Sequence, residues 1–323
     1  MKTNISGLLF VIFGERFLVP NNSVGKVFIL KTSDRAAGVK KLLSQFSLDE
    51  YKGKRVALKA NFNSDDPFPA STHPDTLGAI VETLKDADVG DVTLAERSGM
   101  GNTRQVLENR GVFELSKKLN FSAVVLDEVA RGDWVKIERD GTHWLKGFYI
   151  AKVFLDADKV VQTCCLKTHR FGGHFTLSLK NSVGLVAKRV PGTIYDYMWE
   201  LHGSPFQRLM IAEINKFYPA DLIIMDGMKA FVSGGPEKGQ LVEPGFLLAS
   251  QDRVAIDAVG VAILRIFGAD GHIGEGGIFG LDQLRRAAEL GVGVKSASEI
   301  RLAPLDDESR RFTKKIEAGL AEE

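Results

Sequence analysis

The chain is poor in cysteine, has no excess of either charge, and lacks a long apolar run. Its 323 residues contain two cysteines, Cys164 and Cys165, and these are neighbours. Adjacent cysteines seldom bridge, because disulfide geometry strains the peptide between them. With no other thiol, neither a disulfide framework nor a CxxC metal knuckle can be built, which fits a reducing compartment and an expected cytoplasmic location. The 42 Lys and Arg against 41 Asp and Glu leave a formal net charge of +1. No global field gathers nucleic acid or a membrane surface, so electrostatic recognition has to be local. Ile5–Phe13 is apolar, but Glu15 and Arg16 cut it well short of a membrane span. It has one lysine before it and no clear small-residue cleavage site. Residues 1–20 therefore read as an extension or a strand, with a residual targeting segment as the other reading.

What is present is glycine, 33 residues of it, and a regular alternation of short β-rich runs with amphipathic segments. That alternation predicts an α/β fold with mainly parallel sheets flanked by helices. Strands are expected at 26–30, 55–59, 92–95, 123–126, 159–162, 222–225 and 246–249. Helices are expected at 35–46, 74–87, 113–120, 206–217, 253–267 and 281–290. Thr72 is the expected cap of the helix that starts near Pro74, and Asp252 of the helix after it. Between Trp134 and Phe154, alternation around Asp140-Gly141 reads as a β-hairpin. It is the expected seam between two lobes, 22–150 and 151–306, with the site between them. The charged tail after Asp306 is expected to fray.

In an open α/β sheet, ligands sit at the carboxyl ends of the strands. The unusual polar residues fall there: Asn61, Glu96, Arg97, Ser98, Lys167, His169, Asp226, Ser250 and Asp252. One stretch differs in kind from the rest. From Lys159 to Tyr195 there is no Asp or Glu, while Lys159, Lys167, Arg170, Lys180, Lys188 and Arg189 supply positive charge. Glycines at Gly172-Gly173, Gly184 and Gly192 let backbone approach a ligand, so the stretch suits a small organic anion. A solvated basic face is the alternative reading.

His169, His174 and His202 cluster in sequence. They read either as an open three-histidine site for a divalent metal or as acid/base and substrate contacts. His73, at a helix start, is placed to meet a ligand oxygen, and His143 in the hairpin reads as structural. Gly234-Gly235-Pro236 could present N–H groups to an anion, but it lacks nucleotide-loop spacing. Asp257 lies in an apolar helical segment, where an ionised carboxylate needs a partner; a lysine or histidine of the basic stretch is the natural one. Candidate catalytic residues are thus His169, His174 and Asp257. Candidate substrate contacts are Asn61, His73, Ser98, Lys167, Arg170, Lys180, Asn181, Asp226, Gly234 and Gly235.

A series of short motifs in fixed order resembles the family known as domain of unknown function 362, from about Lys26 to Leu302. It comprises Thr72-His73-Pro74-Asp75, Leu155-Asp156-Ala157-Asp158, Leu166-Lys167-Thr168-His169 and Leu179-Lys180-Asn181-Ser182-Val183-Gly184. Asp226-Gly227, Gly234-Gly235-Pro236 with Gly239, Ser250-Gln251-Asp252, Ala255-Ile256-Asp257-Ala258 and Leu290-Gly291-Val292-Gly293 complete it. The resemblance implies a link to iron–sulfur redox chemistry, since many members carry a ferredoxin-like cysteine cluster. Two adjacent cysteines cannot supply four thiolates, so no iron–sulfur cluster is expected in this chain, and an iron–sulfur partner stands in its place. A weaker similarity, to the nickel-pincer lactate racemase family, is carried by His169, Gly172-Gly173, Pro191-Gly192 and His202. It implies that Lys180 or Lys188 would hold the cofactor.

Two functions follow from these residues. One is an enzyme of isomerase or racemase type that moves a proton on a small carboxylate or phosphate. The other is a non-catalytic accessory protein that binds an anionic cofactor or an iron–sulfur partner. Nucleic acid is not an expected ligand, because no aromatic stacking platforms are interleaved with the basic stretch.

Overall fold

Strand β7 (Lys159–His169) is buried on both faces along almost its whole length, as a central strand covered by helices should be. The computed structural model describes residues 24–171 and 174–321. The apolar segment Ile5–Phe13 and the Gly172-Gly173 pair lie outside the described residues.

The other strands are β1 (Gly25–Lys31), β2 (Val56–Lys59), β3 (Val92–Glu96), β4 (Ser122–Val125), β5 (Trp134–Ile137) and β6 (Phe148–Ala151). After β7 come β8 (His174–Phe175), β9 (Leu222–Gly234), β10 (Gly239–Val242), β11 (Phe246–Ser250) and β12 (Ile300–Pro304). The helices are α1 (Arg35–Leu43), α2 (Pro74–Asp86), α3 (Thr103–Asn109), α4 (Val112–Leu119), α5 (Lys152–Asp156) and α6 (Ser178–Asn181). They continue with α7 (Tyr197–Gly203), α8 (Gln207–Ile214), α9 (Arg253–Ile266), α10 (Asp282–Glu289) and α11 (Asp307–Ala321).

The main sheet has the order β12-β1-β11-β9-β7-β2-β3-β4, with β10 on β9 and β8 on β7. Along that path only β11 runs against the other strands. The fold is therefore mixed α/β with a large, mostly parallel central sheet flanked by helices. One face packs β1, β2 and β3 against α1, α2 and α4, through residues such as Leu42, Ile80, Leu58 and Leu94. The other face carries α9, α10 and α11 at one end. The β5–β6 hairpin with α7 and α8 covers its other end.

Strand β1 lies between β11 and β12, and β2 pairs with β7, so segments from both sides of residue 150 share one continuous sheet. The hairpin forms a separate two-stranded antiparallel sheet, with Gly141 at φ +75° in its connection.

Two local expectations change. His73, not Thr72, caps α2: its ring Nδ1 accepts from the Asp75 N–H, whereas Thr72 Oγ1 accepts from the Asn61 N–H and pins the preceding loop. From Asp307 to Ala321 the tail does not fray. It forms α11, whose Ser309, Thr313, Ile316 and Leu320 are buried against the sheet layer. Asp252 caps α9 through the Ala255 N–H.

Candidate functional site

Following the chain, β2, β3 and β4 step outward in one direction, and β7 then returns on the opposite side of β2. Strand order reverses between β2 and β7, the crevice where open α/β sheets hold ligands. A cavity of about 130 Å³ opens at the carboxyl ends of β2, β3 and β7.

Its floor is an ion pair. Lys59, the last residue of β2, lies 2.8 Å from Glu96, the last residue of β3, and both side chains are almost fully buried. Lys59 also donates to Asn181 Oδ1 at 3.2 Å, and Glu96 accepts from the Phe62 and Arg97 N–H groups. Burial pushes the lysine down and the carboxyl up from their ordinary values, while each partner opposes that push. Gly184 lies directly over the pair. A Cβ there would stand 2.6 Å from both Glu96 Oε1 and Lys59 Cε.

The walls are cationic. Arg97 is buried and spends its donors on carbonyls, including Val186 O at 2.9 Å. Lys167, one strand over, donates to Asn61 Oδ1 at 2.8 Å and to the Ala70 carbonyl. Arg170 pairs with Glu237, which does not line the cavity. Lys180 is different. Among the described residues it has neither a hydrogen bond nor an ion pair, and its charged neighbours are Arg208, Lys167 and Arg97. Burial first, then those cations, push it down to about 7. Arg208 lies buried close by, its Nη2 donating to the Phe171 carbonyl. Among the lining residues the charged groups are Lys59, Arg97, Lys167, Arg170 and Lys180 against Glu96 alone.

Two histidines line the same space. His169 Nδ1 accepts from the Phe171 N–H, which puts its proton on Nε2. Burial and the surrounding cations hold it far below the usual range, so it is a neutral hydrogen-bond donor. His202, at the mouth, has the opposite tautomer: its Nδ1 lies 2.6 Å from the Met198 carbonyl and must donate to it. Nε2 is left with a free lone pair, and burial keeps the ring below its ordinary pKa.

Asn61, Lys167, His169, Arg170, Lys180, Asn181 and His202 thus come together around the cavity. The other candidates do not line it. His174 stacks on His272 at 5.4 Å with ring planes 12° apart. Among the described residues no three His, Cys, Asp or Glu side chains are grouped to hold a metal ion, so His169, His174 and His202 do not form the metal site expected. The lining cations would also repel one.

Among the described residues Asp257 has no lysine or histidine partner. It is fully buried and accepts from the Ser178 and Leu179 N–H groups at 2.8 and 2.9 Å, which anchors α6 and hence Lys180. Burial raises its carboxyl to about 8. Asp226 bonds Arg35 and Thr76 beneath α2. Ser98 donates to the Phe62 carbonyl, and His73 serves as the cap described above. Gly234 and Gly235, both at positive φ, turn the chain so that Pro236 reaches the cavity. A Cβ on Gly235 would lie 2.2 Å from the Thr168 carbonyl oxygen, so only glycine fits there.

Lys188 and Arg189 are exposed, and Lys159 pairs with Glu50 at the opposite end of β7. The basic stretch is therefore divided, and only its middle faces the cavity. Glu96 and Arg97 were noted as polar residues at a strand end but given no role, and Lys59 was not among the candidates. The available signal was a charged residue closing each of two otherwise apolar strands.

Cys164 and Cys165 are both buried within β7, and burial pushes both thiols up. Among the described residues no helix is long and apolar enough to cross a membrane.

These features define an α/β protein with a small, cation-lined cavity at its topological switch. The chain belongs to the family described as domain of unknown function (DUF362), whose model matches residues 56–262 and so takes in every lining residue of the cavity. It is 29% identical over 218 residues to a thylakoid-associated protein of Synechocystis sp., an alignment covering 66% of this chain and 64% of that protein. Among solved structures it is similar to the lactate racemase apoprotein of Thermoanaerobacterium thermosaccharolyticum. The identity is 17% and the TM-score 0.45, over 72% of this chain and 55% of the other.

Proposed function

We propose that the protein is an enzyme that binds a small organic anion, a carboxylate or a phosphate, and moves a proton on it. The observation that carries this reading is the charge balance of the cavity. Its one lining carboxylate, Glu96, is already committed to Lys59, and Arg170 is paired with Glu237, so Arg97, Lys167 and Lys180 face the space without a carboxylate partner among the described residues. Uncompensated buried cations are unfavourable unless an anion joins them. At about 130 Å³ the space is smaller than the ~300 Å³ at which drug-sized ligand sites begin, which favours a small acid over a nucleotide.

The proton moves through His202. Its Nε2 lone pair is free because Nδ1 is fixed on the Met198 carbonyl, and its lowered pKa keeps that lone pair available at neutral pH. His169 is not the base, because its Nδ1 lone pair is engaged by the Phe171 N–H; its Nε2–H is a donor to a substrate oxygen. This assignment replaces His169 and His174 as the proton-moving candidates.

The test is a panel of 2-hydroxy acids, 2-oxo acids and phosphates, titrated calorimetrically and incubated in D2O with proton exchange followed by NMR. The wild type should bind a panel member and exchange its carbon-bound proton. His202→Ala should bind comparably and exchange at least tenfold more slowly. Absence of anion binding, or exchange that His202→Ala leaves unchanged, would refute the reading.

A further inference from the structure

The cavity holds three lysines in three different situations. Lys59 is neutralised by Glu96 at 2.8 Å. Lys167 is tied to Asn61 Oδ1 and the Ala70 carbonyl. Lys180 alone lines the space with no partner among the described residues, on a short helix clamped from below by Asp257. Gly260 of α9 also fits closely under this segment, since a Cβ there would lie 2.8 Å from Leu177 Cδ1. The backbone is held at a fixed place while the amine is left uncommitted.

We propose that Lys180 is a nucleophile that forms an imine with the carbonyl carbon of a small 2-oxo acid whose carboxylate the neighbouring cations hold. This rests on the anion reading above and names its substrate class. An amine attacks only when unprotonated, and Lys180 among Arg208, Lys167 and Arg97 is near half-neutral at pH 7, the environment that activates lysine for carbonyl chemistry. The atoms balance without a further reactant. The Nζ lone pair forms a C–N bond and an N–H proton passes to the former carbonyl oxygen. A second proton transfer from nitrogen then lets that oxygen leave as water, giving C=N. His169 Nε2–H is a donor for the oxygen during this exchange. The imine draws electron density from the adjacent carbon, so that a C–H there becomes acidic enough for His202 Nε2 to remove.

The experiment treats the full chain with pyruvate and, separately, oxaloacetate, each with sodium cyanoborohydride, and reads intact mass and peptide maps. One adduct per chain is expected, equal to the acid less one oxygen atom, located on Lys180. Lys180→Arg keeps the positive charge but cannot form the imine, so it should lose the adduct. Calorimetry on the same proteins separates the two levels. An oxo acid that binds the wild type without forming an adduct on Lys180 overturns the imine and leaves the anion reading standing. An adduct on Lys59 or Lys167, or one that persists in Lys180→Arg, also overturns the assignment. No binding of any anion removes both. If Lys180→Arg does not fold, the wild-type peptide map alone decides which lysine is modified.

Discussion

Lys180→Met should make the unliganded protein more stable while abolishing its anion affinity, and the gain should depend on pH in a defined way. Methionine keeps the length of the side chain and removes only its charge. In the folded protein Lys180 is depressed from 10.5 to about 7, so between these values the unfolded chain binds more protons than the folded one. Stability contributed by this group therefore rises with pH across that window, and it is most unfavourable at and below pH 7. At ~1.4 kcal/mol per pKa unit, the penalty at pH 7 has a ceiling of ~4 kcal/mol. Water at the cavity mouth screens the charge and brings the expected gain to ~1–2 kcal/mol. By pH 9.5 only about a third of the pH 7 difference should remain, because there the unfolded lysine has itself begun to lose its proton. Urea denaturation of both proteins at pH 7 and pH 9.5 measures this directly. A variant less stable than the wild type at pH 7, or an equal difference at both pH values, would refute the argument that the amine is an uncompensated, partly buried cation.

Gly184→Ala places a methyl carbon 2.6 Å from both members of the Lys59–Glu96 pair. It should destabilise the protein by about 1–3 kcal/mol in the same assay and weaken anion binding, because Val183 and Gly184 line the cavity and must move. Unchanged stability would mean that the turn is not packed on the pair. Asp257→Ala leaves the two N–H donors of α6 without an acceptor, at a cost of about 1–3 kcal/mol. Faster hydrogen exchange at the Ser178–Asn181 amides, together with anion affinity reduced at least fivefold, is the expected result. Wild-type exchange in the variant would show that α6 does not need the carboxylate.

The strands and helices with strong periodicity could be read in the sequence because local pattern and tertiary burial agree there. The extension of β7 from Gln162 to His169 was not legible, because Thr163 and Cys164-Cys165 mix polar and small residues in a segment that is buried on both faces. Helix α11 was hidden for a related reason: its buried stripe is Ser309, Thr313, Ile316 and Leu320, half of it polar, inside a highly charged tail. In the site, the missing acids between Lys159 and Tyr195 pointed to Lys167, His169, Arg170 and Lys180. The Lys59–Glu96 pair had no such marker, since its members are separated by 37 positions and meet only through the β2–β3 register. Asp257 was recognised as needing a partner in the basic stretch. That the partner is backbone N–H follows from the close packing of α9 beneath α6, which no residue type announces.

The ion pair beneath the cavity joins the last residues of two strands, while Lys167 and Lys180 arrive from 71 and 84 positions beyond Glu96 along the chain. Affinity for an anion is thus a property of the finished sheet and of no contiguous fragment. A bound anion would act as a rivet across β2, β3 and β7, so ligand screening by thermal shift should report on the whole molecule and not on one loop.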